Sequence, residues 1–299
     1  MPKVTFEELL DAGVHFGHLR RKWNPNMAPY IFMERNRIHI IDLYKTMAQL
    51  DIATAAIKQI AKSGKKILFV STKKQAKDIV KEQAERVKMP YVVERWPGGM
   101  LTNFATIRKA VKKMSSIDEL MNSENWMTMS KRERLQIERE RKKLEKNLGS
   151  IADLRGLPSA IYVVDILKEH IAVAEARKLN IPIFAMVDTN SNPLLVDFPI
   201  PANDDASKSI ALITKLIADA IEEGLNERRL DKEQAELEEQ EAAEARAAEL
   251  KLNSDLLDDE ETPKTEKLGK SVPAGKEEEG TGKRPRKVIA KGGKSGRVK

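Results

Sequence analysis

Runs of consecutive apolar residues constrain the fold of this chain more than any other feature. The longest are Ile67–Val70, Tyr91-Val92-Val93, Ala160–Val164 and Ile183–Val187. A strand that is apolar at every position is covered on both faces, as happens when parallel strands are joined by crossover helices. Two shorter runs are predicted as the first and last strands, Ile38–Ile41 and Phe198-Pro199-Ile200.

Segments with the apolar spacing of amphipathic helices separate these runs. Their apolar faces begin at Met47, Ala76, Ile171 and Ile210. The last helix is predicted to have Asn203 as its N-cap and to end at Gly224. The repeated alternation predicts an α/β fold with a doubly wound, mainly parallel sheet of the flavodoxin or Rossmann type.

Residues 103–149 interrupt this alternation, because they are dense in charge and lack any strand pattern. A narrow apolar stripe at three- and four-residue steps, including Ile107, Met114, Ile117 and Met121, is typical of a coiled-coil seam. Ser130 begins a second helical segment as part of a capping box. A protruding α-helical coiled-coil hairpin is therefore predicted here.

These patterns divide the chain into three predicted parts. Residues 1–102 and 150–224 are predicted to form one α/β sandwich domain, and residues 103–149 the inserted hairpin. Residues 225–299 are predicted to be a charged, largely disordered tail, whose Glu- and Ala-rich beginning can form a solvated helix.

Composition narrows the class of protein. The chain has no cysteine, which excludes disulfides and thiolate metal sites. No apolar run reaches the roughly 20 residues of a membrane span, and the N-terminus does not resemble a secretory signal, so a cytoplasmic protein without membrane contact is expected. Residues 1–224 carry a net charge of +8, which points to a polyanionic partner.

The turn at residues 95–103, Arg-Trp-Pro-Gly-Gly-Met-Leu-Thr-Asn, joins the sheet to the hairpin. Gly98 and Gly99 permit backbone angles closed to other residues, so the turn can cradle a phosphate. That phosphate can belong to a nucleotide or to a large RNA. Neither this turn nor Ser71-Thr72-Lys73-Lys74 has the spacing of a known nucleotide-binding loop.

Residues suited to catalysis or metal binding are few. His15 and His18 lack a third histidine or a cysteine nearby, so no metal is predicted, and both are interpreted as turn histidines bonded to backbone. Asp165 and Asp188 end strands, but no Ser–His or Cys–His pair accompanies them. Asp188 is expected to cap its own turn. No catalytic residue and no cofactor are predicted.

Basic residues around an aromatic ring are typical of RNA recognition, because Arg and Lys hold phosphates and Trp stacks on bases. The candidate RNA-binding residues are Arg20, Arg21, Lys22, Trp23, Arg35, Arg37, Lys73, Lys74, Arg95, Arg108, Lys109 and Lys112. For Lys73 and Lys74, a solvated surface position is an equal alternative.

Three blocks of sequence resemble the ribosomal protein S2 family. They are residues 13–18 with 23–27, residues 95–103, and residues 187–193 with 200–205. The resemblance covers about residues 1–225. It implies an α/β domain with a protruding coiled coil, bound to small-subunit ribosomal RNA. It also implies contact with neighbouring ribosomal proteins, including retention of the large mRNA-binding protein of that subunit.

The function predicted from these observations is that of a structural, RNA-binding constituent of the small ribosomal subunit, without enzymatic activity. The alternative is a nucleotide-binding α/β enzyme that uses the turn at Gly98-Gly99. A third hypothesis is a protein-docking scaffold that does not touch RNA.

Overall fold

The computed structural model of the chain describes residues 4–258, and the side chains of residues 4–124 and 126–240. Within these residues the helices are α1 (Phe6–Asp11), α2 (Leu43–Lys62), α3 (Lys77–Arg86), α4 (Phe104–Met121), α5 (Asn125–Thr128), α6 (Lys131–Leu148), α7 (His170–Lys178) and α8 (Ser207–Asp258). The strands are β1 (Phe16–Leu19), β2 (Ile31–Arg35), β3 (Ile38–Ile41), β4 (Ile67–Val70), β5 (Tyr91–Val92), β6 (Ala160–Val164), β7 (Ile183–Val187) and β8 (Phe198–Pro201). No helix within the described residues is long and apolar enough to cross a membrane.

Contacts divide the chain into two units, Met1–Glu241 and Ala242–Lys299. The first unit contains both sheets and the helices that cover them. The described part of the second unit is the helical stretch up to Asp258. The predicted division of the first unit into a sandwich domain and an inserted hairpin stays a prediction. Residues 259–299, most of the segment predicted to be disordered, lie outside the described residues.

The main sheet has five strands in the order β5-β4-β6-β7-β8, and every pairing is parallel. This confirms the predicted α/β class with a mainly parallel sheet. Counted along the chain the order is 2-1-3-4-5, which is the flavodoxin-like arrangement. Its register aligns one aromatic residue from each strand: Tyr91, Phe69, Tyr162, Phe184 and Phe198.

Two apolar cores lie on the two faces of this sheet, because neighbouring residues of a strand point to opposite faces. The core on one face contains Phe69 and Tyr162 with residues of α2, α3 and α8. The core on the other face contains Leu68 and Val163 with residues of α7, the turn at residues 95–103 and the base of the helical hairpin. The strands are thus buried on both faces, as their composition predicted.

The prediction that Ile38–Ile41 belongs to the parallel sheet is wrong. β3 is the middle strand of a separate antiparallel sheet, in the order β1-β3-β2. Its residues alternate between buried and half-buried, so this sheet covers the core with one face only. A two-residue turn at Asn36 and Arg37, with φ of +53° and +62°, joins β2 to β3.

The predicted start and end of the last helix are also corrected. The side chain of Asn203 accepts the N–H groups of Asp205 and Ala206, so it closes a turn ahead of Ser207, where α8 begins. The helix does not end at Gly224. A Cβ atom at Gly224 would lie 2.5 Å from the carbonyl oxygen of Lys58, so the glycine permits close packing of α8 on α2. Beyond it α8 continues, and its side chains are exposed from residue 228 to residue 240.

The helices α4 and α6 contact each other, and the short helix α5 lies between them in the chain. Ion pairs join them, Lys113 with Glu140 and Asp118 with Arg141. The capping box at Ser130 is confirmed, since Ser130 Oγ accepts the N–H of Glu133 at 3.3 Å. At the base, Lys146 lies 3.4 Å from Glu94, which also binds Lys77. A helical hairpin is therefore present, and its coiled-coil packing stays a prediction.

Candidate nucleic-acid interface

The turn at residues 95–103 encloses a carboxylate of the protein itself. Glu175 on α7 accepts the indole N–H of Trp96 at 3.1 Å and the backbone N–H of Gly99 at 2.7 Å. Its second oxygen accepts the backbone N–H groups of Leu101 at 2.9 Å and Thr102 at 3.2 Å. Gly99 has φ of +82°, a conformation that favours glycine.

These hydrogen bonds determine the charge state of Glu175. The residue is 8% exposed, and burial alone would raise the pKa of its carboxyl. The bonds from Trp96, Leu101, Gly99 and Thr102 outweigh burial and lower that pKa. The N–H groups that could cradle a phosphate are therefore occupied by a buried anion. The alternative prediction of a nucleotide site at Gly98-Gly99 is wrong for this turn.

A second place for an anion, the carboxyl ends of the parallel strands, is also occupied internally. In this fold, ligands bind where the strand order reverses, here between β4 and β6. Lys73, which follows β4, lies 3.4 Å from Asp165, 2.7 Å from Asp204 and 2.6 Å from Asp205. Lys73 is only 8% exposed, so the prediction that it lies on the surface or contacts RNA is corrected.

The carboxylates of this cluster keep Lys73 charged. Burial alone would lower the pKa of Lys73, but Asp204, Asp205 and Asp165 reverse this and raise it, so the ammonium stays charged. Burial, followed by repulsion from Asp188 and Asp165, raises the pKa of Asp204 to about 7.

His18 joins the same cluster from β1. Its Nδ1 lies 2.8 Å from Asp188 and its Nε2 lies 3.4 Å from Asp205. The bond to Asp188 raises the pKa of His18, although burial opposes it. The backbone N–H of His18 donates to Thr189 Oγ1 at 2.8 Å, and Gly17 leaves room for Thr189. His18 thereby ties the antiparallel sheet to the loop after β7.

The predicted roles of the two histidines are corrected. The ring of His18 binds carboxylates instead of backbone, and Nδ1 of His15 is buried without a hydrogen-bond partner among the described residues. Among those residues, one group has metal-ligand geometry, since ligand atoms of His18, Asp188 and Asp204 lie within 4.8 Å of one another. One imidazole and two carboxylates are donors that Zn²⁺ accepts. Asp188 Oδ1 accepts both the backbone N–H and the hydroxyl of Thr189, so its side chain binds the next residue of its own turn.

Part of the predicted RNA-binding group converges on one surface cavity of about 830 Å³. We call this cavity the arginine pocket, and its lining residues are Leu19, Arg20, Arg21, Trp23, Glu34 and Arg37. The backbone N–H of Arg20 donates to the carbonyl of Arg37 at 2.8 Å, which holds the β2–β3 turn against the segment after β1. The indole ring of Trp23 remains exposed at the surface.

The other predicted RNA-binding residues are distributed over the surface. Lys22, Lys74 and Arg95 are exposed. Arg35 is exposed but lines a different cavity from Arg37. On α4, Arg108, Lys109 and Lys112 are exposed along one helix, whereas the neighbouring Lys113 is paired with Glu140.

An exposed apolar patch was not predicted. It consists of Phe6, Leu10, Phe16, Phe32, Met33 and Tyr44, each 37–72% exposed, around a cavity of about 360 Å³. The rings of Phe6 and Tyr44 stack with centroids 5.1 Å apart. Two features of the sequence could have indicated this patch: the apolar side of α1 and the neighbouring apolar residues Phe32 and Met33. Neighbouring side chains of a strand point to opposite faces, so Phe32 and Met33 cannot both face a core.

The role of Glu175 was also missed. Its signal is a single carboxylate among the buried residues Ala172, Val173 and Ala176 of α7. A charge on the apolar face of a helix requires a partner in the fold, because an unpaired buried charge is costly. The partner, however, is mostly backbone N–H groups, which carry no sequence signature.

The sequence of this chain is similar to those of one family of known proteins. The model of the family described as Ribosomal protein S2 matches residues 9–224. The chain is similar to the small ribosomal subunit protein uS2 of Phocaeicola vulgatus, 67% identical over 232 residues, 78% of this chain and 83% of that protein. It is 62% identical to the uS2 protein of Cytophaga hutchinsonii and 65% identical to that of Flavobacterium johnsoniae. Each of these alignments spans 237 residues, 79% of this chain and 93% of the relative.

Proposed function

This chain belongs to the ribosomal protein S2 family, and from that membership we propose that it binds small-subunit ribosomal RNA through its exposed basic surfaces. The chain is a structural constituent of the small ribosomal subunit and not an enzyme, and it acts in the cytoplasm as part of the ribosome. It acts by binding in a fixed position within the subunit and catalyses no reaction.

One observation carries the RNA-binding proposal. The glycine turn and the carboxyl ends of the strands, the two candidate phosphate sites of this chain, are filled by the protein's own ions, while arginines and lysines outside them stay exposed. Internal occupation disfavours a small phosphorylated ligand. Exposed cations around the arginine pocket and along α4 suit the phosphates of a folded RNA, because neutralising phosphates releases counterions.

The proposed RNA-binding residues are Arg20, Arg21, Lys22, Trp23, Arg35, Arg37, Lys74, Arg95, Arg108, Lys109 and Lys112. Lys73 is left out because three carboxylates surround its ammonium group. We propose further that α4 and α6 pack as a coiled coil and extend this surface beyond the sheet domain. The narrow apolar stripe of α4 supports that packing.

Neighbouring ribosomal proteins are proposed to contact the apolar patch. Contiguous exposed apolar surface is rare on monomeric proteins and marks interaction sites. The patch contains three phenylalanines and a tyrosine, which are enriched in the centres of protein interfaces. The large mRNA-binding protein of the small subunit is among the proposed partners, as the family resemblance implies.

The test is the salt dependence of binding to small-subunit ribosomal RNA. With about 6 phosphate contacts, the slope of log affinity against log salt is expected near −5. A flat response would contradict the phosphate mechanism. Equilibrium dialysis with a panel of nucleotides is expected to show no saturable binding. Crosslinking in a cell lysate separates RNA contact from a pure protein scaffold, which would yield protein adducts alone.

A further inference from the structure

The arginine pocket combines an exposed tryptophan ring with three arginines, and its volume of about 830 Å³ lies in the range of pockets that enclose small ligands. We propose that this pocket holds one unpaired nucleotide of the ribosomal RNA, with its base stacked on Trp23. The inference rests on the RNA binding proposed above and names the element of the RNA that enters the protein.

Trp23 has the position of a stacking platform. Its side chain is 37% exposed, and the ring of the buried His39 lies beside it with centroids 5.3 Å apart. The backbone N–H of Trp23 donates to the carbonyl oxygen of Arg20 at 3.2 Å, which fixes the backbone from which the indole side chain projects. An aromatic ring that is supported by the protein and open to solvent binds unpaired bases by stacking, whatever their identity.

Arg37 is held at the pocket in an unfavourable backbone conformation. Its φ of +62° is left-handed, and it occupies the second position of a two-residue hairpin turn, where glycine is preferred after asparagine. Side chains other than glycine are strained in that conformation. Strained residues concentrate at functional sites. The turn thus retains an arginine side chain at a position where backbone energetics alone would favour glycine.

Glu34 indicates which part of the nucleotide enters. Its carboxylate lies in the wall of the pocket, 3.3 Å from Arg20. A carboxylate repels phosphate but accepts hydrogen bonds from the amino groups of bases. The base edge therefore faces Glu34, and the flanking phosphates lie on Arg21 and Arg37. Only an unpaired base can stack on Trp23 in this way, since the faces of paired bases are stacked inside the RNA helix.

The experiment measures binding of the full chain to small subunits assembled without it, over a range of salt concentrations. Trp23→Leu is expected to weaken binding about fivefold to a hundredfold, the range for loss of one stacked base, with the salt slope unchanged. Trp23→Phe is expected to restore most of the affinity. Arg37→Gly is expected to weaken binding while its melting temperature stays equal or rises, because the turn is relieved of strain.

Acylation of ribose 2′-hydroxyls identifies the nucleotide. A single unpaired position of the ribosomal RNA is expected to become more reactive with Trp23→Leu than with Trp23→Phe. If Trp23→Leu and Arg37→Gly bind like the unchanged protein and no nucleotide changes reactivity, the pocket is not a base site, although steep salt dependence would still support RNA binding. If the unchanged protein binds without salt dependence, the proposed RNA binding fails, and this inference with it.

Discussion

The carboxylate of Glu175 accepts the backbone N–H of Gly99 at 2.7 Å. This bond and its three neighbours connect α7 to the turn that leads into the helical hairpin. The turn has the backbone geometry of an anion site, and the anion is part of the same chain. Gly99 therefore serves the fold, because its N–H binds Glu175 and its φ of +82° favours glycine.

Replacing Glu175 tests this connection. Glu175→Gln replaces the carboxylate by a neutral amide, whose NH2 group cannot accept the two N–H groups that it faces, so a loss of about 3 kcal/mol in the free energy of unfolding is expected at pH 7. Urea denaturation followed by circular dichroism measures it. Glu119→Gln, on the exposed side of α4, is the matched control and is expected to stay within about 0.5 kcal/mol.

The same variant has a predictable pH dependence. The pKa of Glu175 is lowered in the fold, so its stabilisation is present above the ordinary value of 4.5 and is lost as pH falls through the folded pKa. The difference between the unchanged protein and Glu175→Gln is expected to shrink on acidification below about pH 4.5. A difference that stays constant down to pH 3 would contradict a pKa of Glu175 that is lowered in the fold.

Two glycines, Gly17 in β1 and Gly98 in the turn at residues 95–103, are expected to respond differently to alanine. At Gly17 a Cβ atom would lie 2.6 Å from Thr189 Cγ2 and 3.0 Å from the carbonyl oxygen of His39. Gly17→Ala is therefore expected to cost about 1–3 kcal/mol. At Gly98 no atom lies within 4 Å of the added Cβ, so Gly98→Ala should be nearly neutral. Thermal denaturation of both variants makes the comparison, and equal melting temperatures would contradict it.

Adjacent lysines give a second matched pair. Lys73→Met removes the ammonium that Asp165, Asp204 and Asp205 share, and breaking such a buried ion pair is expected to cost about 3–5 kcal/mol. The loss should increase as pH rises through about 7, because Asp204 then becomes ionised. Lys74→Met removes an exposed charge and is expected to leave stability unchanged. Urea denaturation at pH 6 and pH 8 tests both variants, and equal losses for the two would refute the buried ion cluster.

His18 is expected to titrate above its ordinary value of 6.5, because it donates to Asp188. Its stabilising contribution is present below pH 6.5 and is lost as pH rises through the folded pKa. Nuclear magnetic resonance of the imidazole C–H signals measures the pKa directly. Asp188→Asn should lower it towards or below 6.5. An unchanged pKa in that variant would mean that Asp188 does not hold the proton of His18.

The basic side of α4 is expected to contribute to the salt dependence of RNA binding. Replacing Arg108, Lys109 and Lys112 together by Gln should reduce the log–log slope by about 2–3, since each phosphate contact contributes roughly 0.7–0.9. Lys113→Gln is the control, because Glu140 already pairs with that lysine. If the single control changes the slope as much as the triple variant, the assignment of phosphate contacts to this face is wrong.

The parallel strands and their helices were predictable because their signals are local. Runs such as Ile161 to Val164 are apolar at every position, and the helices between them repeat apolar residues every three or four positions. The segment at Ile38–Ile41 gave the same local signal, but it pairs antiparallel with β1 and β2 in the other sheet. A run of four residues does not specify its partners, so the assignment to the parallel sheet failed.

The candidate site was predictable only in part. Arg20, Arg21, Trp23 and Arg37 meet at one pocket, as a cluster of basic residues around an aromatic ring suggested. Lys73 looked equivalent to Lys74 in the sequence, yet one is buried and the other exposed. The periodicity of helices and strands does not show which of two neighbouring loop residues is buried. Only the positions of Asp165, Asp204 and Asp205 determine that Lys73 is the buried one.

Sequence alone determined the class of fold and the family, because apolar periodicity and contiguous blocks of residues are properties of the chain itself. Only the tertiary structure determined which charged side chains are buried and which groups they bind. Glu175 lies 76 residues from Gly99, and Lys73 lies 131 residues from Asp204. Electrostatic and hydrogen-bond energies depend on distances of a few ångströms, and such distances between remote residues exist only after the sheet has assembled.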